Sequence, residues 1–148
     1  MVEQALSKGR NRVAIAYGSF PEDYERISKD VAALRTNGRL TPQLLAKYMR
    51  DPNPTWFLVA LSQMADIDYL TAKLLVEKKE VDALAIACKA AGLDKALFLT
   101  YAMIMLSDQE NAMGRAAEYG QLFTSLPLET AQRTIRFWRM RRAEGHAA

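Results

Sequence analysis

Apolar residues recur at intervals of three and four along most of the chain, which is the spacing of amphipathic helices. In the first such segment, Tyr24, Ile27, Val31 and Leu34 fall on one side of a helix predicted over residues 20–36. Stretches that alternate apolar and polar residues, which would indicate strands, are nearly absent. The pattern therefore predicts an all-α protein.

Capping residues divide this pattern into about eight short helices. The segment Ser19–Glu22 is a capping box, whose Pro21 is tolerated because a first-turn N–H has no intrahelical partner. Thr41, Asp68 and Asp94 are predicted to cap three later helices, since short polar side chains accept first-turn N–H groups. Further helices are predicted around Trp56–Met64, Val81–Ala91, Asn111–Phe123 and Pro127–Arg142.

Three helix starts recur at a nearly constant spacing. Leu40-Thr41, Ile67-Asp68 and Leu93-Asp94 each place an apolar residue before a capping residue, at steps of 27 and 26 residues. Such an apolar residue packs on the fourth helical position, and short helices of this kind bury their faces by stacking on neighbours. The spacing supports a stack of about seven or eight short antiparallel helices arranged in hairpins.

The length of 148 residues suits one domain. We expect a helical domain over residues 19–142, a tail or short helix over residues 1–18, and a disordered tail over residues 143–148. The most apolar stretch, Ala96–Leu106, is too short to span a bilayer, and the first residues do not form a secretory signal. A soluble cytoplasmic protein without a membrane role is therefore expected.

Composition limits the chemistry that the chain can perform. It holds one His and one Cys, whereas a disulfide needs two cysteines and a zinc site needs three or four ligands. A Ser-His or Cys-His catalytic pair would have to use His146, near the C-terminus. Cys88 lies among apolar residues and is interpreted as a buried hydrophobe, with a redox thiol as the alternative. We predict a non-enzyme without catalytic residues, metal ligands or cofactor.

The positive charge of the chain is local. The net charge is +3, and residues 40–107 carry seven basic and seven acidic groups. Residues 133–142, in contrast, hold five arginines and no acidic residue. The last helix is therefore the most unusual segment of the chain.

Two different faces are predicted for this last helix. At 100° per residue one face is apolar and should dock on the other helices, with Arg139 beside it and in need of a partner or a path to water. The docking face consists of Leu128, Ala131, Ile135 and Trp138. The opposite side, the candidate partner-binding site, consists of Arg133, Arg136, Phe137, Met140 and Arg141.

Three interpretations of that opposite side stay open. Arginines with interleaved aromatic residues can hold an acidic protein surface, and they can also hold phosphates and stack on nucleic-acid bases. In the third interpretation the helix only covers the core, with arginine heads in water and their charge near the negative end of the helix dipole. A net charge of +3 is small for a nucleic-acid-binding protein.

Other polar and apolar clusters have plain structural alternatives. Asp66 and Asp68 would suit a metal, but the other ligands of a calcium loop are missing, and Asp68 is a natural helix cap. Residues 77–82 form a charged run, interpreted as a solvated connection between helices. A carboxylate-dependent enzyme would need one pocket that collects Asp66, Asp68, Glu77 or Glu110. A homodimer face is the alternative to a core position for Leu122, Phe123 and Leu126.

Four segments, taken in order, resemble one bacterial family, the domain of unknown function 2336, best known from alphaproteobacteria. They are Leu40–Asp51, Phe57–Ala65, Ala85–Asp94 and Leu126–Arg139. The resemblance covers about residues 20–142 and implies an all-helical, HEAT-like fold with no catalytic residues to carry over. Larger members have a longer N-terminal helical region, so the resemblance implies a short member or a C-terminal piece.

These features together predict an interaction module that binds another protein, in a cytoplasmic regulatory or adaptor role. Stacked helix pairs create extended surfaces, and the last helix would contribute the contact residues. A homodimer is a further expectation for the partner. Nucleic-acid binding by the basic last helix is the alternative function, and it would weaken steeply with salt.

Overall fold

The computed structural model of the protein describes the backbone of residues 20–147 and the side chains of residues 20–141. Every regular element in that part is helical, which confirms the all-α fold, and the HEAT-like arrangement stays a prediction. Eight α-helices and one 3-10 turn follow in the order α1 (Tyr24–Thr36), α2 (Pro42–Tyr48), α3 (Pro54–Ala65), α4 (Tyr69–Glu77), α5 (Val81–Ala90), α6 (Lys95–Met105), the 3-10 turn (Met113–Arg115), α7 (Ala116–Ser125) and α8 (Leu128–Ala147).

Three helices begin at the capping residues that the sequence predicts, and each start has a side-chain hydrogen bond to the first turn. Thr41, Asp68 and Asp94 have extended backbones, and their side-chain oxygens accept backbone N–H groups of α2, α4 and α6 at 2.8–3.2 Å. Asn53 caps α3 in a similar way, accepting from the N–H of Thr55 at 3.1 Å. These caps satisfy donors that have no intrahelical partner.

The predicted start of α1 is wrong. The helix begins at Tyr24, and Asp23 occupies the cap position without a side-chain bond to the first turn. The Asp23 carboxylate instead accepts a hydrogen bond from the side-chain amide of Asn53 at 2.7 Å, which ties the start of α1 to the start of α3. This contact joins two distant segments. Ser19, the predicted cap, lies outside the described residues, as does the predicted tail or helix of residues 1–18.

The predicted bounds of two later helices also change. Asn111 adopts a left-handed backbone (φ 64°), so the helix expected from this residue begins only at Ala116, after the 3-10 turn. In contrast, α8 continues to Ala147, five residues beyond its predicted end near Arg142, because no proline follows to stop it. A disordered tail was expected for residues 143–148. Residues 143–147 belong to this extension of α8, and residue 148 lies outside the described part. The disorder of this segment stays a prediction.

Helices α3 and α5 form the centre of the bundle. α3 contacts α1, α2, α4 and α5, and α5 contacts α3, α4, α6, α7 and α8. Residues 57–62 of α3 are all buried, and Ala85, Ala87 and Cys88 of α5 are fully buried. Small side chains let neighbouring helices approach α5 closely, and one of those neighbours is α8. The position of α8 is therefore fixed by the core.

Two aromatic pairs hold α6 against its neighbours α3 and α7. The ring centroids of Phe57 and Tyr101 lie 3.8 Å apart, which joins α3 to α6. Those of Phe98 and Phe123 lie 5.1 Å apart, which joins α6 to α7. Phe123, Leu122 and Leu126 all pack on the core, so the apolar set considered as a homodimer face is largely used within the chain.

Candidate interaction surface on the last helix

The inner face of α8 docks on α5. Ala131 is fully buried, Ile135 is 3% exposed, and Trp138 is half-buried against the core. Leu128 was predicted on this face, but it is 50% exposed. The prediction that Leu128 docks on the core is therefore wrong. Leu128 is the first residue of the helix and lies at the margin of the apolar face.

Arg139, beside the docking face, finds a partner at the end of α3. Its guanidinium forms an ion pair with the carboxylate of Asp66, which ends α3 in a left-handed conformation (φ 63°). Asp68, two residues on, caps α4. The two carboxylates that suggested a metal thus have separate structural roles, and no group of three or more potential metal ligands occurs within the part of the chain that the structure describes.

The opposite side of α8 faces solvent. We call Arg133, Arg136, Phe137, Met140 and Arg141 the outer surface of α8, and all five are exposed. Phe137 is 54% exposed and Met140 is 61% exposed, and Phe137 is the one aromatic residue among the large exposed apolar side chains of the described part. They lie three residues apart and are therefore neighbours on the helix. Together they form a small apolar centre between arginines.

The charges around this apolar centre are mostly positive. Arg133 pairs with Glu129 one turn earlier, with 3.4 Å between the guanidinium nitrogen and the carboxylate oxygen, and both side chains are well exposed. The guanidinium carbon of Arg141 lies 5.8 Å from the centroid of the Phe137 ring. Such exposed contacts add little stability. The arginines therefore keep most of their capacity to bind an acidic group.

A shallow cleft lies beside Trp138 of α8. Its volume is about 470 Å³, and it opens to solvent between α8 and the first turns of α5. The lining residues are Glu80, Val81, Asp82, Ala83, Ile86 and Trp138. The sequence placed the first three of these in a charged connection and did not predict the cleft. The sequence does show acidic residues on both sides of Val81, which could have indicated a binding site. These residues line a cleft only because α8 packs beside them.

The charged run at residues 77–82 is also tied to a distant loop. Lys79 has a left-handed backbone (φ 54°) and forms an ion pair with Asp108, in the segment after α6. The hydrogen bond from Lys79 lowers the pKa of the Asp108 carboxyl below its ordinary value. Glu77 pairs with Lys73 at 3.6 Å. Two charged residues of the run are therefore held in ion pairs with other parts of the chain.

Cys88 is a buried hydrophobe in the folded protein. It is fully inaccessible in the middle of α5, and burial raises the pKa of its thiol. Burial also raises the pKa of the neighbouring Tyr101 hydroxyl to about 12, with a smaller contribution from Cys88. A reactive thiol requires an exposed or electropositive setting, and Cys88 has neither exposure nor a lowered pKa.

We expect the Cys88 thiol to react at pH 8 only when the chain unfolds. A thiol-specific reagent should modify the native protein at least about a hundredfold more slowly than the protein in urea. The unfolded thiol loses its proton above about pH 8.5 while the folded one keeps it, so the free energy of unfolding should fall as pH rises further. Cys88→Ala should lack this part of the alkaline loss. Rapid native modification would contradict the buried position.

The geometry so far defines an all-helical protein with one apolar and basic helix surface exposed to solvent. Residues 1–136 match the family model described as "Uncharacterised protein conserved in bacteria (DUF2336)", so the chain belongs to this bacterial family. No curated protein and no solved structure matches the chain. The matched residues include the cleft wall on α5, and they end within the outer surface of α8, at Arg136.

No helix within residues 20–147 is both long enough and apolar enough to cross a membrane.

Proposed function

We propose that this protein is a non-enzymatic protein–protein interaction module, acting in the cytoplasm as a regulatory or adaptor protein. The observation that carries the proposal is the exposure of Phe137 and Met140 side by side between arginines on α8. Aromatic residues, Met and Arg are the residue types enriched at protein interfaces, with an apolar centre and a polar rim. The outer surface of α8 has this composition and this arrangement.

The difference between the two faces of α8 supports a binding role in addition to its role in covering the core. The inner residues Ala131 and Ile135 already bury this helix against α5. The exposed parts of Phe137 and Met140 contribute nothing to this docking, because apolar area that stays in water does not favour folding. A partner that covers both side chains would remove this area from water and so gain binding free energy.

Three of the carboxylates considered for an enzyme, and the thiol, support a role without catalysis. Asp66 pairs with Arg139, Asp68 caps α4 and Glu77 pairs with Lys73, so each supports a different local structure. Cys88 is buried with a raised pKa. A catalytic group would instead be held in a cleft with a pKa suited to proton transfer or nucleophilic attack.

A second copy of the chain fits this surface poorly. If two copies of α8 paired antiparallel around their apolar centres, Arg136 of each would lie opposite Arg141 of the other. Like charges placed face to face cost several kcal/mol. The outer surface therefore favours a different, acidic protein over a homodimer.

A charge-reversal variant tests the proposal. The triple variant Arg133→Glu, Arg136→Glu and Arg141→Glu reverses the rim of the surface, and Lys29→Glu, Arg35→Glu and Arg39→Glu makes the same charge change at exposed positions around α1. Tagged proteins would be used to recover partners from the native lysate, with and without nuclease. We expect the wild type and the α1 variant to recover the same proteins and the α8 variant to lose them.

Two outcomes would overturn this proposal. Equal recovery by all three proteins would show that the outer surface of α8 does not bind a partner. Recovery that disappears with nuclease and weakens steeply with salt would assign the arginines to nucleic acid instead.

A further inference from the structure

The outer surface of α8 and the cleft beside Trp138 lie next to each other. Trp138 directly follows Phe137, so its side chain lies about 100° around the helix from that ring. Trp138 is half-buried and forms one wall of the cleft, while Val81 and Ile86 of α5 line the other side. The exposed pair Phe137 and Met140 and the apolar wall of the cleft therefore lie on adjacent sides of the same stretch of α8.

Opposite charges stand beside these two apolar areas. Arg133, Arg136 and Arg141 stand around the exposed apolar pair on α8. Glu80 and Asp82, both exposed, stand at the cleft on α5. The combined surface is basic around the pair on α8 and acidic at the cleft, with apolar side chains in both parts. Such an arrangement selects both the charge of a partner and the direction in which the partner lies.

We propose that this two-edged surface, formed by the outer surface of α8 and the cleft residues, binds an amphipathic helix of a partner protein. The apolar stripe of that helix covers Phe137 and Trp138. Its acidic edge faces the arginines of α8, and its basic edge faces Glu80 and Asp82. The inference rests on the proposed protein-binding function and specifies the chemistry of the partner.

A helical ligand fits the surface better than an extended one. An amphipathic helix presents an apolar stripe with one polar edge on each side, which is the complement of the two-edged surface. An extended peptide gains most of its affinity by adding a strand to the edge of a sheet, and residues 20–147 contain no strand to receive it. Charge complementarity at both edges then sets the orientation.

Three synthetic helical peptides with the same leucine stripe test the inference. The first carries Glu on one edge and Lys on the other, the second carries Glu on both edges, and the third carries Lys on both. Titration calorimetry with the full chain measures each affinity. We expect the first peptide to bind at least about tenfold more tightly than either of the others, since each of these places like charges together at one edge.

Two protein variants identify the acidic edge. Glu80→Lys with Asp82→Lys makes both edges basic, so this variant should prefer the peptide with Glu on both edges. The matched control is Glu25→Lys with Glu110→Lys, which makes the same charge change at exposed positions in α1 and in the segment after α6. This control should still prefer the mixed peptide, as the wild type does. In a Trp56→Phe background, Trp138 is the only tryptophan, and its emission should change when the first peptide binds.

Each alternative result has a definite meaning. If the wild type binds the peptide with two Glu edges as tightly as the mixed one, or binds none of the three, the inference is wrong. It is also wrong if the Trp138 emission stays constant on binding, because the partner then leaves the cleft empty. These results would leave the protein-binding function standing, since that function is tested separately by the charge reversal of α8 in the lysate.

Discussion

Phe98→Ala should lower the free energy of unfolding by about 3–5 kcal/mol. Phe98 is fully buried in α6, and its ring stacks on that of Phe123 at 5.1 Å. Removing the ring loses its burial and leaves a cavity where α6 meets α7. Urea denaturation followed by circular dichroism measures the change, and an unchanged slope with denaturant shows that the two-state comparison holds.

Phe137→Ala is the matched control, because it removes the same ring from an exposed position. Phe137 is 54% exposed, so we expect a change of no more than about 0.5 kcal/mol. Equal losses for the two variants would contradict the assignment of Phe98 to the core and of Phe137 to the surface.

Ala131→Arg should detach α8 from the bundle, with a loss of about 3 kcal/mol or more. Ala131 is fully buried where α8 contacts α5, so the new side chain has neither space nor a partner for its charge. Detachment would also expose Trp138. In a Trp56→Phe background, its fluorescence emission should therefore shift to longer wavelength.

Gln132→Arg controls for the charge and for helix propensity. Gln132 is the next residue of the same helix and is exposed, and Arg is about as good a helix former as Gln. We expect the stability of this variant to stay within about 0.5 kcal/mol of the wild type. A stable Ala131→Arg protein with unchanged Trp138 emission would contradict the docking of α8 through its inner face.

The features predicted from the sequence are those decided by neighbouring residues. Thr41, Asp68 and Asp94 each bond to an N–H group three residues later, so the helix starts follow from local chemistry. The exposure of Phe137 and Met140 follows from the 100° periodicity of α8, once its opposite face is known to be apolar.

The features that the sequence did not predict depend on contacts between distant segments. Asp23 occupies the cap position of α1 and accepts a hydrogen bond from the amide of Asn53, 30 residues away. Arg139 pairs with Asp66, 73 residues away, and its need for a partner could be predicted while the partner could not. The cleft requires Trp138 to lie against the start of α5. Hydrophobic periodicity contains no information on which helices become neighbours.

The division of α8 into an inner face that stabilises the fold and an outer surface that binds a partner can be tested with one double variant. Phe137→Ala with Met140→Ala removes the exposed apolar centre and leaves Ala131 and Ile135 in place. Its free energy of unfolding and its recovery of partner proteins from the lysate would be measured on the same preparation. We expect stability within about 1 kcal/mol of the wild type and recovery at least about tenfold lower. Unchanged recovery, or a loss of stability as large as that of Phe98→Ala, would contradict this division.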